Sequence, residues 1–154
     1  AGVQKARDRD LDVSVIDHRG FTSREEFDVA LMRTIDGYQP DLVVLAGFMR
    51  ILTPDLVRRY EGRMLNIHPS LLPAFPGLDA QRQALEHGVK VTGATVHFVT
   101  ADLDTGPIVS QTPVSIRDDD TLDTLAARIL DEEHRIYPEA IARVLDGAGT
   151  PFWG

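Results

Sequence analysis

Asn66 and His68 stand two residues apart in the stretch Leu65 to Leu78, L-N-I-H-P-S-L-L-P-A-F-P-G-L. On an extended segment residues i and i+2 share a face, so the two polar side chains point the same way. An Asn amide offers two donors and an acceptor, and an imidazole gives or takes a proton near neutral pH. The pair suits a reaction at a carbonyl, where an amide donor stabilises the negative charge that develops on oxygen as a nucleophile adds. Asp104, in D-L-D-T-G-P at Asp102 to Pro107, is a third candidate. A carboxylate near an imidazole favours its charged form and fixes its orientation, which prepares His68 as a proton donor. No Ser or Cys nucleophile is needed, and the pattern fits direct acyl transfer from a bound donor to a bound amine. The residues alone suit a blander reading equally well: a solvated turn with a capping Asn, a surface His, and Asp side chains bonded to their own backbone.

The chemistry needs elements to hold it. Pro69, Pro73 and Pro76 have a fixed φ and no amide donor, so they can continue neither a ladder nor a helix and define a rigid irregular loop. Ala1 to Asp10 reads as the tail of a helix. Leu11, Val13 and Val15 alternate with polar residues as in a strand reaching Ile16. Thr22 or Ser23 caps a helix with a Ser23–Glu26 capping box and a buried stripe of Phe27, Leu31 and Ile35, ending at Gly37 and Pro40. Asp41 to Ala46 is a continuous apolar run, as in a central parallel strand covered on both faces. After Gly47, Phe48 to Leu52 lies beyond the carboxyl end of that strand, and Thr53 with Pro54 opens a short helix. Arg63 to His68 reads as a strand and Asp79 as the cap of a helix ending at Gly88. Val91 to Thr100 and Ile108 to Ile116 read as strands, with Ala94, Val96 and Phe98 on one face of the first and Thr95 and His97 on the other. Asp118 to Asp120 offers caps for a long helix with Leu122, Leu125, Ala126, Ile129 and Ile136 inward, which Pro138 breaks or kinks before Gly147. The alternation predicts an open, mostly parallel α/β sheet flanked by helices, with ligands beyond the carboxyl ends of its strands.

The 154 residues are 43% hydrophobic, enough for one globular domain with a sizeable core. A net charge of -8 argues against a general nucleic-acid or anionic-membrane binder. The absence of cysteine excludes disulfides, thiolate metal sites and a Cys nucleophile, and fits a cytoplasmic protein. No apolar run is long enough to suggest a membrane span. His68, His97 and Asp104 match no common metal-ligand spacing, so no metal is expected, and His97 reads as a hydrogen-bonded structural histidine.

The motifs G-F-M-R-I-L at Gly47 to Leu52, N-I-H-P-S-L-L-P at Asn66 to Pro73, P-G-L at Pro76 to Leu78, H-F-V-T at His97 to Thr100, D-L-D-T-G-P at Asp102 to Pro107 and E-H-R-I-Y-P at Glu133 to Pro138 occur in one order along nearly the whole chain. In them the chain resembles the folate-dependent formyltransferases, and among these the phosphoribosylglycinamide formyltransferase family. The resemblance implies a Rossmann-like fold and transfer of the formyl group of 10-formyltetrahydrofolate, as co-substrate, to the amine of glycinamide ribonucleotide in purine synthesis. By that resemblance Asn66 binds the formyl oxygen, His68 is the general acid, and Asp104 keeps the imidazole charged and oriented. It also implies folate contacts from Arg24, from Met49, Arg50, Ile51 and Leu52, and from a closing loop of Phe98, Val99, Thr100, Ala101, Asp102, Leu103 and Asp104. Glu133 and Pro69 are placed by the same resemblance beside glycinamide ribonucleotide. Read without it, Arg24 is a solvated first-turn residue, Glu133 a surface charge, and Met49, Ile51 and Leu52 core.

The match also has departures. The family begins with a strand and a Gly-Ser-Asn loop that cradles the substrate phosphate at a helix N-terminus. This chain shows no such segment. The expectation is a single formyltransferase domain over 1–154, lacking the first strand-loop-helix unit and shortened at the C-terminus, with a homodimer left open. A formyltetrahydrofolate deformylase, which gives the formyl group to water, is the nearest rival, and a folate-binding module without turnover is another. Methionyl-tRNA formyltransferase shares N-I-H and L-D-T-G but adds a basic RNA-binding domain.

Overall fold

The computed structural model describes residues 1–48 and 50–147. One sheet of four strands runs in the order β1 (Val43–Val44), β2 (Met64–His68), β3 (Val91–Phe98), β4 (Ile108–Ser115). The helices are α1 (Gly2–Arg7), α2 (Arg24–Gly37), α3 (Pro54–Arg59), α4 (Ala80–His87) and α5 (Leu122–Leu145). The α/β class holds, but the strand directions correct the expectation of a mostly parallel sheet. β1 and β2 are parallel, whereas β2–β3 and β3–β4 are antiparallel. The chain leaves β2 through the proline loop and α4 and re-enters beside the end it left, so no crossover traverses the sheet between them.

β3 divides the molecule into two sides. Its register sets Phe98 opposite Leu65 and Val96 opposite Ile67. With Ala94 these form the apolar face on which α5 packs through Leu125, Ile129, Ile136, Tyr137 and Ala140. Each Leu, Ile, Val or Phe among them removed from water is worth about 1.5–3 kcal/mol, which makes this the main cohesive layer. A second cluster joins Leu56 and Val57 of α3 to Tyr60 and Met64, with Leu31, Met32 and Ile35 of α2 against it.

Four local expectations are corrected. Residues 11–17 form no strand: Leu11 is 59% and Val15 67% exposed, and no ladder partner lies beside them among the described residues. Asp12, Ser14 and Ile16 face α2 instead, with the Ser14 hydroxyl 2.7 Å from that of Tyr38. The Asp41 to Ala46 run is reduced to an edge pairing, in which the Val43 and Leu45 amides donate to Arg63 and Leu65 carbonyls at 2.8 Å. Among the described residues β2 is its one neighbour, and Val44 is exposed rather than covered on both faces. Asp79 precedes α4 but makes no side-chain cap; its φ of 55° turns the chain, and the Gln83 amide takes the Pro76 and Leu78 carbonyls. α5 is capped by Thr121 in a box with Thr124, while Asp120 pairs with Arg128, and the helix runs unbroken past Pro138.

Candidate active site

Residues directly opposite in an antiparallel pair share a face. Asn66 lies opposite His97 and His68 opposite Thr95, so the sheet face away from α5 carries four polar side chains from two strands. Hydrophobic alternation on the α5 side dictates this arrangement: once Leu65, Ile67, Val96 and Phe98 turn inward, their neighbours must face the other way.

The proline loop closes over that face and is fixed by side chains in place of ladder bonds. The Thr95 hydroxyl donates to the Ser70 carbonyl at 2.7 Å and accepts from the Leu72 amide at 3.1 Å. Gln111 donates to the Leu72 carbonyl and to Thr95, and the Ser70 hydroxyl to the Ala74 carbonyl. Three of the donors are side chains, which is how a segment with three prolines satisfies its backbone without a sheet. The Leu72–Pro73 bond is cis.

His68 is 5% exposed and gripped from both sides. Its Nε2 lies 2.8 Å from the Phe75 carbonyl, which can only accept, so Nε2 carries a proton. Its Nδ1 lies 3.5 Å from the Asp104 carboxylate. The 99–107 connection leaves β3 at the end of the sheet away from His68 and folds back over the polar face, so the loops do not share one carboxyl edge as expected. Gly106 makes the return possible: a Cβ there would sit 1.8 Å from the Phe98 carbonyl. Asp104, at a φ of 53°, is buried between two histidines, with His97 Nε2 3.7 Å from its other oxygen and the Gly77 amide donating to it at 2.8 Å. Burial is the main cause holding the His97 imidazole below its ordinary value, with Asp104 acting in the opposite direction. No group of three metal-ligating side chains converges among the described residues.

The other anticipated residues divide. Asn66 is half-buried on the same face as His68. Ile51, Ala101, Asp102 and Leu103 are exposed, and Leu52 and Val99 pack against the second cluster. Thr100 reaches the Asp102 carbonyl at 3.4 Å. Arg50 is half-buried, its guanidinium 4.5 Å above the Phe27 ring, and Arg24 opens α2. Phe98 points to the α5 side and is 1% exposed, its amide donating to the Pro107 carbonyl and its own carbonyl 3.1 Å from His97 Nδ1, so its ring faces the core and not a ligand. Pro69 is half-buried where β2 ends. Glu133 lies one helical turn before Tyr137, whose hydroxyl donates to the Leu45 carbonyl at the end of β1. Burial raises the Glu133 carboxyl above its usual range. Met49 lies outside the described residues. Sequence reasoning missed the Phe75 carbonyl, the Gly77 amide and the second histidine on Asp104. The first two are backbone groups with no residue signature, whereas the period-two pattern put His97 on the face opposite Phe98, and the strand register, which the pattern does not give, sets it beside Asn66.

The α/β sheet thus carries a buried His–Asp pair beside a strand-borne Asn, under a proline loop. The chain belongs to the formyl transferase family, whose sequence profile matches residues 1–141. Within it the similarity is to phosphoribosylglycinamide formyltransferases. That of Escherichia coli is 49% identical over 146 residues, covering 95% of this chain and 69% of the relative. That of Mycobacterium tuberculosis is 52% identical over 130 residues, covering 84% of this chain and 59% of the relative. The crystal structure of glycinamide ribonucleotide transformylase 1 from Symbiobacterium toebii superposes with a TM-score of 0.91 at 53% identity, covering 95% of this chain and 69% of that one. The chain also spans 15% of the chicken trifunctional purine biosynthetic protein adenosine-3, at 46% identity and 96% coverage of itself.

Proposed function

We propose that the chain carries the catalytic part of a phosphoribosylglycinamide formyltransferase, moving the formyl group of 10-formyltetrahydrofolate to the amine of 5-phosphoribosylglycinamide in purine synthesis. The observation that carries this reading is the buried His68–Asp104 pair on the face shared with Asn66, in a chain of this family. The amine lone pair attacks the formyl carbon, and an Asn66 amide donor meets the charge that develops on the formyl oxygen. Collapse breaks the carbon bond to folate N10, which gains a proton from the His68 side as the amine nitrogen loses one. Asp104 positions the imidazole through Nδ1, and the proton delivered is the one on Nε2, the ring nitrogen that faces away from Asp104. Since that Nε2 hydrogen is on the Phe75 carbonyl, delivery requires the 73–77 loop to yield it to the substrate.

On this reading Arg24, Arg50, Ile51, Leu52 and the backbone of Phe98 to Asp104 border the folate, and Pro69 and Glu133 the amine substrate. The exposed Ile51 and Leu103, from two separate loops, offer apolar surface to a flat ring system. No metal enters the reaction, and the setting is cytoplasmic.

The test is tetrahydrofolate release from 10-formyltetrahydrofolate with and without phosphoribosylglycinamide. Release that requires the amine, with formylated amine in equal amount, supports the transferase. Release without it identifies a deformylase, and folate binding without release a binding module.

A further inference from the structure

The turn at 50–53 has no sheet or helix of its own and presents Ile51 outward at 65% exposure. The first turns of α2 lie against it. Asp28 is a carboxylate only 2% exposed, and its Oδ2 accepts the Thr53 amide at 2.7 Å. One residue earlier, the Phe27 ring lies 4.5 Å beneath the Arg50 guanidinium. Arg24, Phe27 and Asp28 are spaced i, i+3, i+4 and so share one stripe of the helix. A buried carboxylate costs free energy unless it is bonded, and here the bond goes to the backbone of a loop rather than to a cation. Thr53 is the N-cap of α3, its hydroxyl accepting from the Leu56 amide, while its own N–H makes no intrahelical bond and donates to Asp28. Asp28 therefore fixes the turn in addition to the helix cap.

We propose that Phe27 and Asp28 are positioning residues for the folate side of the site, acting through the 50–53 turn and touching no substrate themselves. This rests on the reading that the turn borders the formyl folate. Rigid placement of that turn lowers the ordering cost of binding, so its loss appears in folate affinity rather than in the chemical step.

The experiment compares Asp28→Ala, Asp28→Asn and Phe27→Leu with wild type in the full chain. It measures kcat, KM for each substrate, thermal midpoint, and calorimetric binding of tetrahydrofolate alone. Loss of a bond to a buried carboxylate predicts roughly a tenfold rise in folate KM and Kd for Asp28→Ala. The amine KM stays unchanged and kcat falls by less than about threefold, as expected when uniform binding is lost. Asp28→Asn, which keeps an acceptor oxygen, restores folate affinity to within about threefold of wild type. Phe27→Leu keeps the carboxylate and apolar bulk and raises folate KM about threefold, the loss of a stacked cation and aromatic ring. It decides the matter if Asp28→Ala does not fold. Folded variants with unchanged folate affinity, or equal losses for both substrates, overturn the proposal. Failure of wild type to bind tetrahydrofolate would instead remove the reading on which it rests.

Discussion

At the residue scale, His68 has little freedom: one ring nitrogen is on a carbonyl and the other faces Asp104. On the proposed reading, in which His68 is the proton donor, kcat for formyl transfer in His68→Ala should fall by about 10²–10⁴, the range of a positioned acid. Near-normal turnover in steady-state assays would count against the role. Asp104→Asn retains an oxygen for the Gly77 amide but removes the charge between the two histidines, and the same assay should show a fall of about 10² in kcat with KM little changed. Glu133 poses a separate trade. Burial raises its carboxyl in the folded state, so the native chain holds the proton to higher pH than the unfolded chain does. Stability is therefore undiminished below the ordinary carboxylate range and is lost as pH rises through it to the raised folded value. Glu133→Gln should melt at a higher temperature than wild type at pH 8, with the gap closing by pH 4 in parallel thermal scans. If Glu133 also meets the amine substrate, the same variant raises that substrate's KM while leaving the folate KM alone, a stability gain obtained at the expense of function.

At the element scale, Gly106 lets the 99–107 connection pass against Phe98. Gly106→Ala forces a Cβ into that carbonyl and must displace the segment bearing Asp104. Chemical denaturation should show a loss of about 1–3 kcal/mol, the usual cost of overpacking, with activity lost beyond what the unfolded fraction explains. α5 offers the opposite case. Pro138 lies inside a helix that continues to Leu145, at the expense of one backbone bond. Pro138→Ala should stabilise the chain by about 1 kcal/mol or more in the same denaturation experiment, since the site is exposed and Ala favours the helix. These elements show what pattern reading can and cannot reach. The stripe of Phe27, Leu31 and Ile35, and the opposition of Ala94, Val96 and Phe98 to Thr95 and His97, follow from period alone. Strand direction does not, because the proline loop and α4 could equally have led across the sheet or back beside it. Leu11 to Ile16 alternates like a strand and is none, since a ladder needs a neighbour that alternation cannot supply. The sequence made Asn66, His68 and Asp104 candidates by residue type and spacing, whereas Asp28 carries no such signal, because its partner is a backbone amide 25 residues away.

At the scale of the whole molecule, stability and function occupy different parts of the chain. β3 is buried from Thr92 to Phe98, paired on both edges and covered by α5, whereas residues 12–17 expose Val15 and their amides donate no backbone bond among the described residues. Local opening free energy follows that distribution, from near zero in segments without buried contacts up to the global value in core strands. Hydrogen exchange should therefore find the β3 and β4 ladder amides exchanging only on global unfolding and those of 12–17 exchanging at once. The turn at 50–53 and the connection 99–106 lie between, because each is held by a few specific bonds and little apolar area. Binding of tetrahydrofolate must slow exchange in those two segments if they border the ligand, and should leave 12–17 untouched. The same ligand at 100 times its Kd adds about 2.7 kcal/mol to the global opening and so slows β3 as well. Slowing of β3 with no added protection at 50–53 or 99–106 would place the ligand elsewhere on the fold, and protection at both would tie the two loops to one site.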